Sequence, residues 1–474
     1  MSSPLLNAAA LPGLRARGIK VPGYPRDGAI GVVHLGLGAF HRAHQALVFD
    51  ALLQAGDSRW GVLGVGMRSA QLGDALAAQD GLYAVQIASA LGSSWQVGGA
   101  IWQTGLATRE PLRVVQALAA PGTRWVTLTV TEKGYGAPLA NLLVQGLAAR
   151  HAAGLAGLTI ASCDNLPANG RQLQTLCVEA AQKSSPDNPA LADWIQTRCA
   201  FPNSMVDRIV PAATPARHAA AADVLGVKDE AALGTEAFWE WVIERRFVDD
   251  SDGDALAPVG VTVVDDVAPF EEAKLRMLNG SHSAMACIGA IAGLPVIGEC
   301  IAQPAIHSFI HDLMTHEVGP SLSRPDWPAY RDALLQRFAN PALQHSVHQI
   351  ATDSSQKIPQ RWPPSVLGAL QRGQSVERLA FAAASWLRYL QGVDERGQAY
   401  ALNDPMAAEL QALAQAHASD AASTVRVLAT LPAIWGDVLP LNARWLARVG
   451  YWLTQIQQRG VLPALQQLHT EAAA

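Results

Sequence analysis

Charge is scarce in this chain: of 474 residues only 16% are Asp, Glu, Lys or Arg, and the balance is acidic, with a formal net charge of −5. No basic excess is present to draw the protein onto nucleic acid or an anionic membrane, so neither is an expected partner. An anionic ligand would have to be held by a few locally placed cations. Cysteine is sparse as well. Cys163, Cys177, Cys199, Cys287 and Cys300 are an odd, widely spaced set with no CxxC pair. That spacing indicates neither a zinc ribbon nor a disulfide framework, and it reads as reduced, buried thiols in a cytoplasmic protein. Long apolar runs are missing too. The longest, 283–298, is interrupted by glycine and short for a membrane span, so a buried helix and a turn are expected there. The N-terminal MSSPLLNAAALPGLRARG lacks a basic region ahead of a long apolar core and does not read as a secretory signal. What is abundant is hydrophobicity, at 50% of residues. With this length, that profile describes two to three globular domains.

The first half alternates short β-branched runs with amphipathic segments. Strands are expected at 29–35, 60–67, 82–88, 95–102, 124–131 and 157–163. Helices are expected at 39–55, 69–78, 110–119 and 137–151. This alternation predicts an α/β fold with a parallel, doubly wound sheet of the Rossmann-like kind. From about residue 271 helical periods dominate, at 300–316, 327–338, 376–391, 405–416 and 440–468. The composition shift near 255–270 divides the chain into an expected dinucleotide-binding domain, 1–268, and a mainly helical substrate and catalytic domain, 269–474.

Directly after the first strand comes Gly36-Leu-Gly38-Ala39-Phe40-His41. A strand, a GxG turn and a helix form an anion site, because glycine lets the backbone approach a pyrophosphate and the helix start offers N–H donors. The usual third small residue is replaced by His41. The second strand ends in Gly64-Val-Gly66-Met-Arg68-Ser69, without the carboxylate that ordinarily binds the ribose hydroxyls of NAD. Arg68 could face an NADP phosphate or the adenine, so these residues leave NAD and NADP both open.

The segment Glu271-Glu272-Ala-Lys274-Leu-Arg276-Met-Leu-Asn279-Gly-Ser-His282 carries the chemistry. On a regular α-helix Lys274, Asn279 and His282 project within roughly 140° of one another. One face can therefore offer a base, an amide and an imidazole. Oxidising an alcohol by hydride transfer needs a proton acceptor and donors that stabilise the alkoxide. A lysine serves as that acceptor when burial and nearby positive charge lower its pKa from about 10.4. Gly280, a poor helix residue, suggests that a nicotinamide or substrate packs closely there.

These motifs, together with TEKGY at 131–135, SCDNLPANG at 162–170 and FPNSMVDRIVP at 201–211, resemble the mannitol dehydrogenase family of polyol-specific long-chain dehydrogenases. The resemblance implies a metal-independent, NAD-linked enzyme with Lys274 as general acid/base. It further implies Asn165 and Asn279 as oxyanion-stabilising amides, His282 orienting substrate hydroxyls and Asp207 near the substrate. Within the family, TEKGY, LRMLNGSHS and NPALQHSVHQIATDSSQKIPQR at 340–361 look most like fructuronate reductases. Lys357 and Arg361, four residues apart in that last stretch, could clamp a uronate carboxylate. The alternative within the family is an enzyme acting on a neutral polyol. Outside it, His307, His311 and His316 could suggest a zinc site, though no HExxH pattern is present. A sensor that binds a dinucleotide or sugar without turnover is the non-catalytic alternative.

Overall fold

The computed structural model describes residues 4–89, 92–184, 189–341 and 345–473. The chain divides into two compact units, Met1–Ala268 and Pro269–Ala474.

In the first unit the branched apolar runs become the strands of a five-stranded parallel sheet. Its members are β1 (Val32–Leu35), β2 (Val62–Gly66), β5 (Ile101–Leu106), β6 (Trp125–Leu128) and β7 (Thr159–Ser162), in the order β5-β2-β1-β6-β7. Both faces are covered, which is why β1, β2, β6 and β7 are buried along their whole length. Val33, Leu35, Leu63, Val65 and Val126 share a core with the helices Pro111–Leu118 and Ala137–Ala152. Val32, Val62 and Trp125 pack on the other side with Phe49, Leu52 and Leu53 of the helix Gln45–Gln54. The doubly wound expectation is met.

Three differences from the expected elements matter. The helix expected over 39–55 is two helices, Ala39–Ala43 and Gln45–Gln54, broken at His44 (φ −124°, ψ −92°). The strand expected over 95–102 is the end of β4 (Gly92–Gly98) and the start of β5, which lie in different sheets. Two small mixed sheets also complete the unit, β4-β3-β9 and β11-β10-β8. They are built from β3 (Tyr83–Ser89), β8 (Ser204–Asp207), β9 (Leu233–Glu236), β10 (Glu240–Glu244) and β11 (Thr262–Val264). The last four are too short to show a strand period.

The second unit is helical. Its centre is the helix Gly280–Ala292, whose small residues allow close packing with the alanine-rich helix Glu377–Tyr389. The apolar run at 283–298 is thus a buried helix, ended by Gly293 in the left-handed conformation (φ +72°). The helix expected over 440–468 is split by Gly460 (φ +88°) into Ala443–Arg459 and Val461–Ala473. Among the described residues, no helix is long and apolar enough to cross a membrane.

Candidate active site

In the first unit, β1 runs into the glycine turn at the carboxyl end of the sheet, where open α/β folds place ligands. Gly36 adopts φ +103°, and a Cβ on it would run into the Thr129 carbonyl. Its N–H and that of Leu37 both donate to the Val65 carbonyl of β2. Gly38 is the extended residue that starts Ala39–Ala43, whose first N–H groups have no partner within the helix. Phe40 stacks on His44, with ring centroids 5.1 Å apart.

His41, which replaces the third small residue, is fully buried and stacked on His34, with centroids 3.4 Å apart and planes 10° apart. His34 Nδ1 and Nε2 lie 2.9 and 3.0 Å from the hydroxyls of Thr127 and Thr129. Because the Thr129 hydroxyl donates to Gly36 O, His34 donates from Nε2 and accepts at Nδ1. Burial pushes the His34 imidazole down to about 3, so it is neutral. The turn is therefore buttressed from below by a polar, hydrogen-bonded imidazole.

Arg68 follows β2 and is exposed. Beside the strand tip, a cavity of about 1080 Å³ is lined in part by Arg42, Ser69, Asp74, His218 and Lys228. Asn165 is exposed in the turn after β7, at the carboxyl edge. The Asp164 carboxylate accepts from the N–H groups of Val130 and Thr131, tying that turn to the TEKGY loop. Lys133 is exposed in the loop. Asp207 ends β8, is 2% exposed and pairs in register with Glu240. Its neighbour Arg208 directs its guanidinium to the carbonyls of Glu236 and Ala43.

In the second unit, Lys274–Asn279 forms a π-helical segment between the α-helices Ala268–Ala273 and Gly280–Ala292. The regular α-helix assumed from the sequence is therefore corrected. A π turn is wider, so it rotates less per residue and brings Lys274 and Asn279 onto more nearly one face. Such turns strain the local hydrogen-bond ladder, and two side chains from the next part of the chain bind to it. Arg361 Nη1 donates to the Asn279 carbonyl (3.1 Å) and to Ser283 Oγ (2.6 Å), and Trp362 Nε1 donates to the Gly280 carbonyl (3.1 Å). This indole packs beside Gly280 at ordinary contact distance. A Cβ there would lie 3.6 Å from Trp362 Cδ1 and Nε1. Trp362 was not foreseen, since a tryptophan outside any motif carries no signal of its partner.

Lys274 is 7% exposed and His282 6%. The His282 ring packs on Phe338 (4.6 Å) and edge-on to His345 (5.5 Å). Burial, then His345, Arg337 and Arg361, push the His282 imidazole well below its usual range. Burial and Lys357 lower His345 to about 4. Both rings are neutral at physiological pH. Lys357 and Arg361 lie one turn apart on the helix Ser354–Arg361, and Lys357 Nζ also donates to the Ile350 carbonyl (3.3 Å). The structure thus brings Lys274, Asn279, His282, Lys357 and Arg361 into one helical unit. Among the described residues no three His, Cys, Asp or Glu side chains group as a metal-ligand set. His311 and His316 lie instead beside the Asp312 carboxylate, at 3.0 and 4.0 Å.

Comparison with known proteins agrees with the fold. The mannitol dehydrogenase Rossmann domain matches residues 30–252, and the mannitol dehydrogenase C-terminal domain matches 266–457. The chain is 40% identical to D-mannonate oxidoreductase of Escherichia coli, over 90% of this chain and 93% of that protein. It is 37% identical to mannitol 2-dehydrogenase of Phaeosphaeria nodorum, over 95% and 83%. It also superposes on mannitol 2-dehydrogenase of Pseudomonas fluorescens, solved as a ternary complex with NAD and D-mannitol. That match has a TM-score of 0.86 and 32% identity, covering 98% of this chain and 99% of the other. The chain belongs to the mannitol dehydrogenase family of oxidoreductases.

Proposed function

We propose that the protein is an NAD-dependent reductase of a sugar acid, interconverting D-fructuronate and D-mannonate. The observation that carries the acidic substrate is the electrostatics around His282: Arg337, Arg361 and, through His345, Lys357 all lower imidazoles that are already desolvated. A carboxylate is favoured in such a field, whereas a neutral hexitol gains nothing from it. The similarity to D-mannonate oxidoreductase supports the same reading.

The first unit, 1–268, is assigned to dinucleotide binding. Gly36, Gly38, Ala39 and Phe40 form the turn assigned to the pyrophosphate, because the helix start offers N–H donors and Gly38 leaves the backbone open to an approaching anion. Arg68, exposed after β2, is assigned to the adenosine end of the dinucleotide. When bound, the nicotinamide exchanges a hydride with the substrate carbon.

The second unit, 269–474, carries the proton chemistry. Lys274 Nζ gives a proton to the carbonyl oxygen during reduction and takes it back during oxidation. The Asn279 amide donates to that oxygen as its negative charge develops. His282, neutral and buried, orients a neighbouring hydroxyl. On the family resemblance, Asn165 is assigned as a second oxyanion-stabilising amide and Asp207 as a substrate-binding carboxylate. Lys357 and Arg361 provide the positive field for its acidic end. Neither the zinc nor the sensor alternative gains support from these residues. The test is oxidation of NADH and NADPH with fructuronate, tagaturonate, fructose and xylulose. Fructuronate should give the highest kcat/KM with NADH, and a preference for fructose would overturn the sugar-acid reading.

A further inference from the structure

His345 belongs to none of the residues assigned above, yet two observations single it out. Its Nδ1 and the Nε2 of His282 are both closed off from solvent without a hydrogen-bond partner. Their rings stand edge to face at 5.5 Å, one on the central helix and the other just before the helix Val347–Ala351. Two unmade hydrogen bonds on facing rings shut off from water are costly. Phe338 closes the other side of His282.

The backbone holds His345 in place. Its carbonyl accepts from the Ile297 N–H (3.0 Å), Ser346 bridges to Val296, and the Val347 N–H donates to the Pro295 carbonyl. The ring is thus fixed by a backbone that is itself tied to the turn after the central helix. Such anchoring costs little entropy on ligand binding. The charged groups facing the pair are Arg337 and Arg361 toward His282 and Lys357 toward His345.

We propose that His345 is a specificity-determining residue, which with His282 seats the carboxylate-bearing end of a sugar acid. This inference rests on the sugar-acid reading of the site. A neutral imidazole with its proton on Nδ1 donates one hydrogen bond to a carboxylate oxygen, while Lys357 supplies the charge. His282 Nε2 takes the adjacent hydroxyl. A neutral ketose offers the hydroxyl but not the anion, so it uses His282 and gains little from His345.

The test is steady-state kinetics of wild type, His345→Ala and His345→Gln with fructuronate and with fructose, with the thermal denaturation midpoint as the check on folding. His345→Ala should raise the fructuronate KM about tenfold or more, with kcat and the fructose parameters changed little. His345→Gln, which keeps a donor, should recover most of the loss. An unchanged fructuronate KM in His345→Ala overturns the inference alone, as does an equal rise for both substrates. A wild type that reduces fructose but not fructuronate overturns the functional reading and the inference together.

Discussion

Arg361 Nη1 holds the carbonyl of Asn279 at 3.1 Å and the hydroxyl of Ser283 at 2.6 Å, so one guanidinium spans the junction of the π segment and the central helix. This makes Arg361 a positioning residue for the Asn279 amide. Arg361→Lys keeps the charge but loses the fork. It should lower kcat about tenfold or more with acidic and neutral substrates alike. A KM effect confined to the acid would instead make Arg361 a direct ligand of the carboxylate.

Lys274→Ala removes the proposed proton carrier from a buried position. Turnover should fall by about 10²–10⁴-fold, while NADH still binds, because the glycine turn lies in the other unit. Near-normal kcat in this variant would end the assignment of Lys274 as acid/base.

Gly36→Ala meets two obstacles, a left-handed backbone at φ +103° and the Thr129 carbonyl in the path of Cβ. The strain alone costs about 1–3 kcal/mol. A lower denaturant midpoint and weaker NADH binding are expected together. If both match wild type, the turn is not the constrained element described above.

Glu317 gives a pH-dependent signature in the second unit. It is fully buried in the π segment Leu313–Val318, and burial raises its carboxyl to about 7. Its oxygens accept from the N–H groups of Arg378 and Leu379 at 2.8 Å, which offsets only part of that rise. A carboxyl raised in the folded state favours folding most when protonated. Its contribution is complete below the unfolded pKa near 4.5 and is lost as pH climbs through about 7, by at most about 3 kcal/mol. Urea denaturation of wild type and Glu317→Gln at pH 5 and pH 8 checks this. Wild type should lose stability relative to the variant at the higher pH, and parallel curves would contradict it.

Much of the site was legible in one dimension because its motifs are contiguous. Gly36 and Gly38 follow a buried apolar strand, and Lys274, Asn279 and His282 share one helical segment, so local spacing already suggested an anion turn and three polar groups on one face, and the resemblance supplied the roles proposed for them. The short strands β8–β11 gave no such signal, being three to five residues long. The π turn was equally hidden, since its residues are ordinary helix formers.

The sequence by itself determined the parallel α/β half and the helical second half, whereas the roles proposed for Lys274, Asn279 and His282 came from the family resemblance. The two halves follow from composition and local periodicity. Only the tertiary structure decided what those residues touch. It put Trp362 beside Gly280, turned Arg361 onto the Asn279 carbonyl and set His345 beside His282. These contacts join positions about 60–80 residues apart in sequence, where no local period reaches and only packing of whole helices selects the partner.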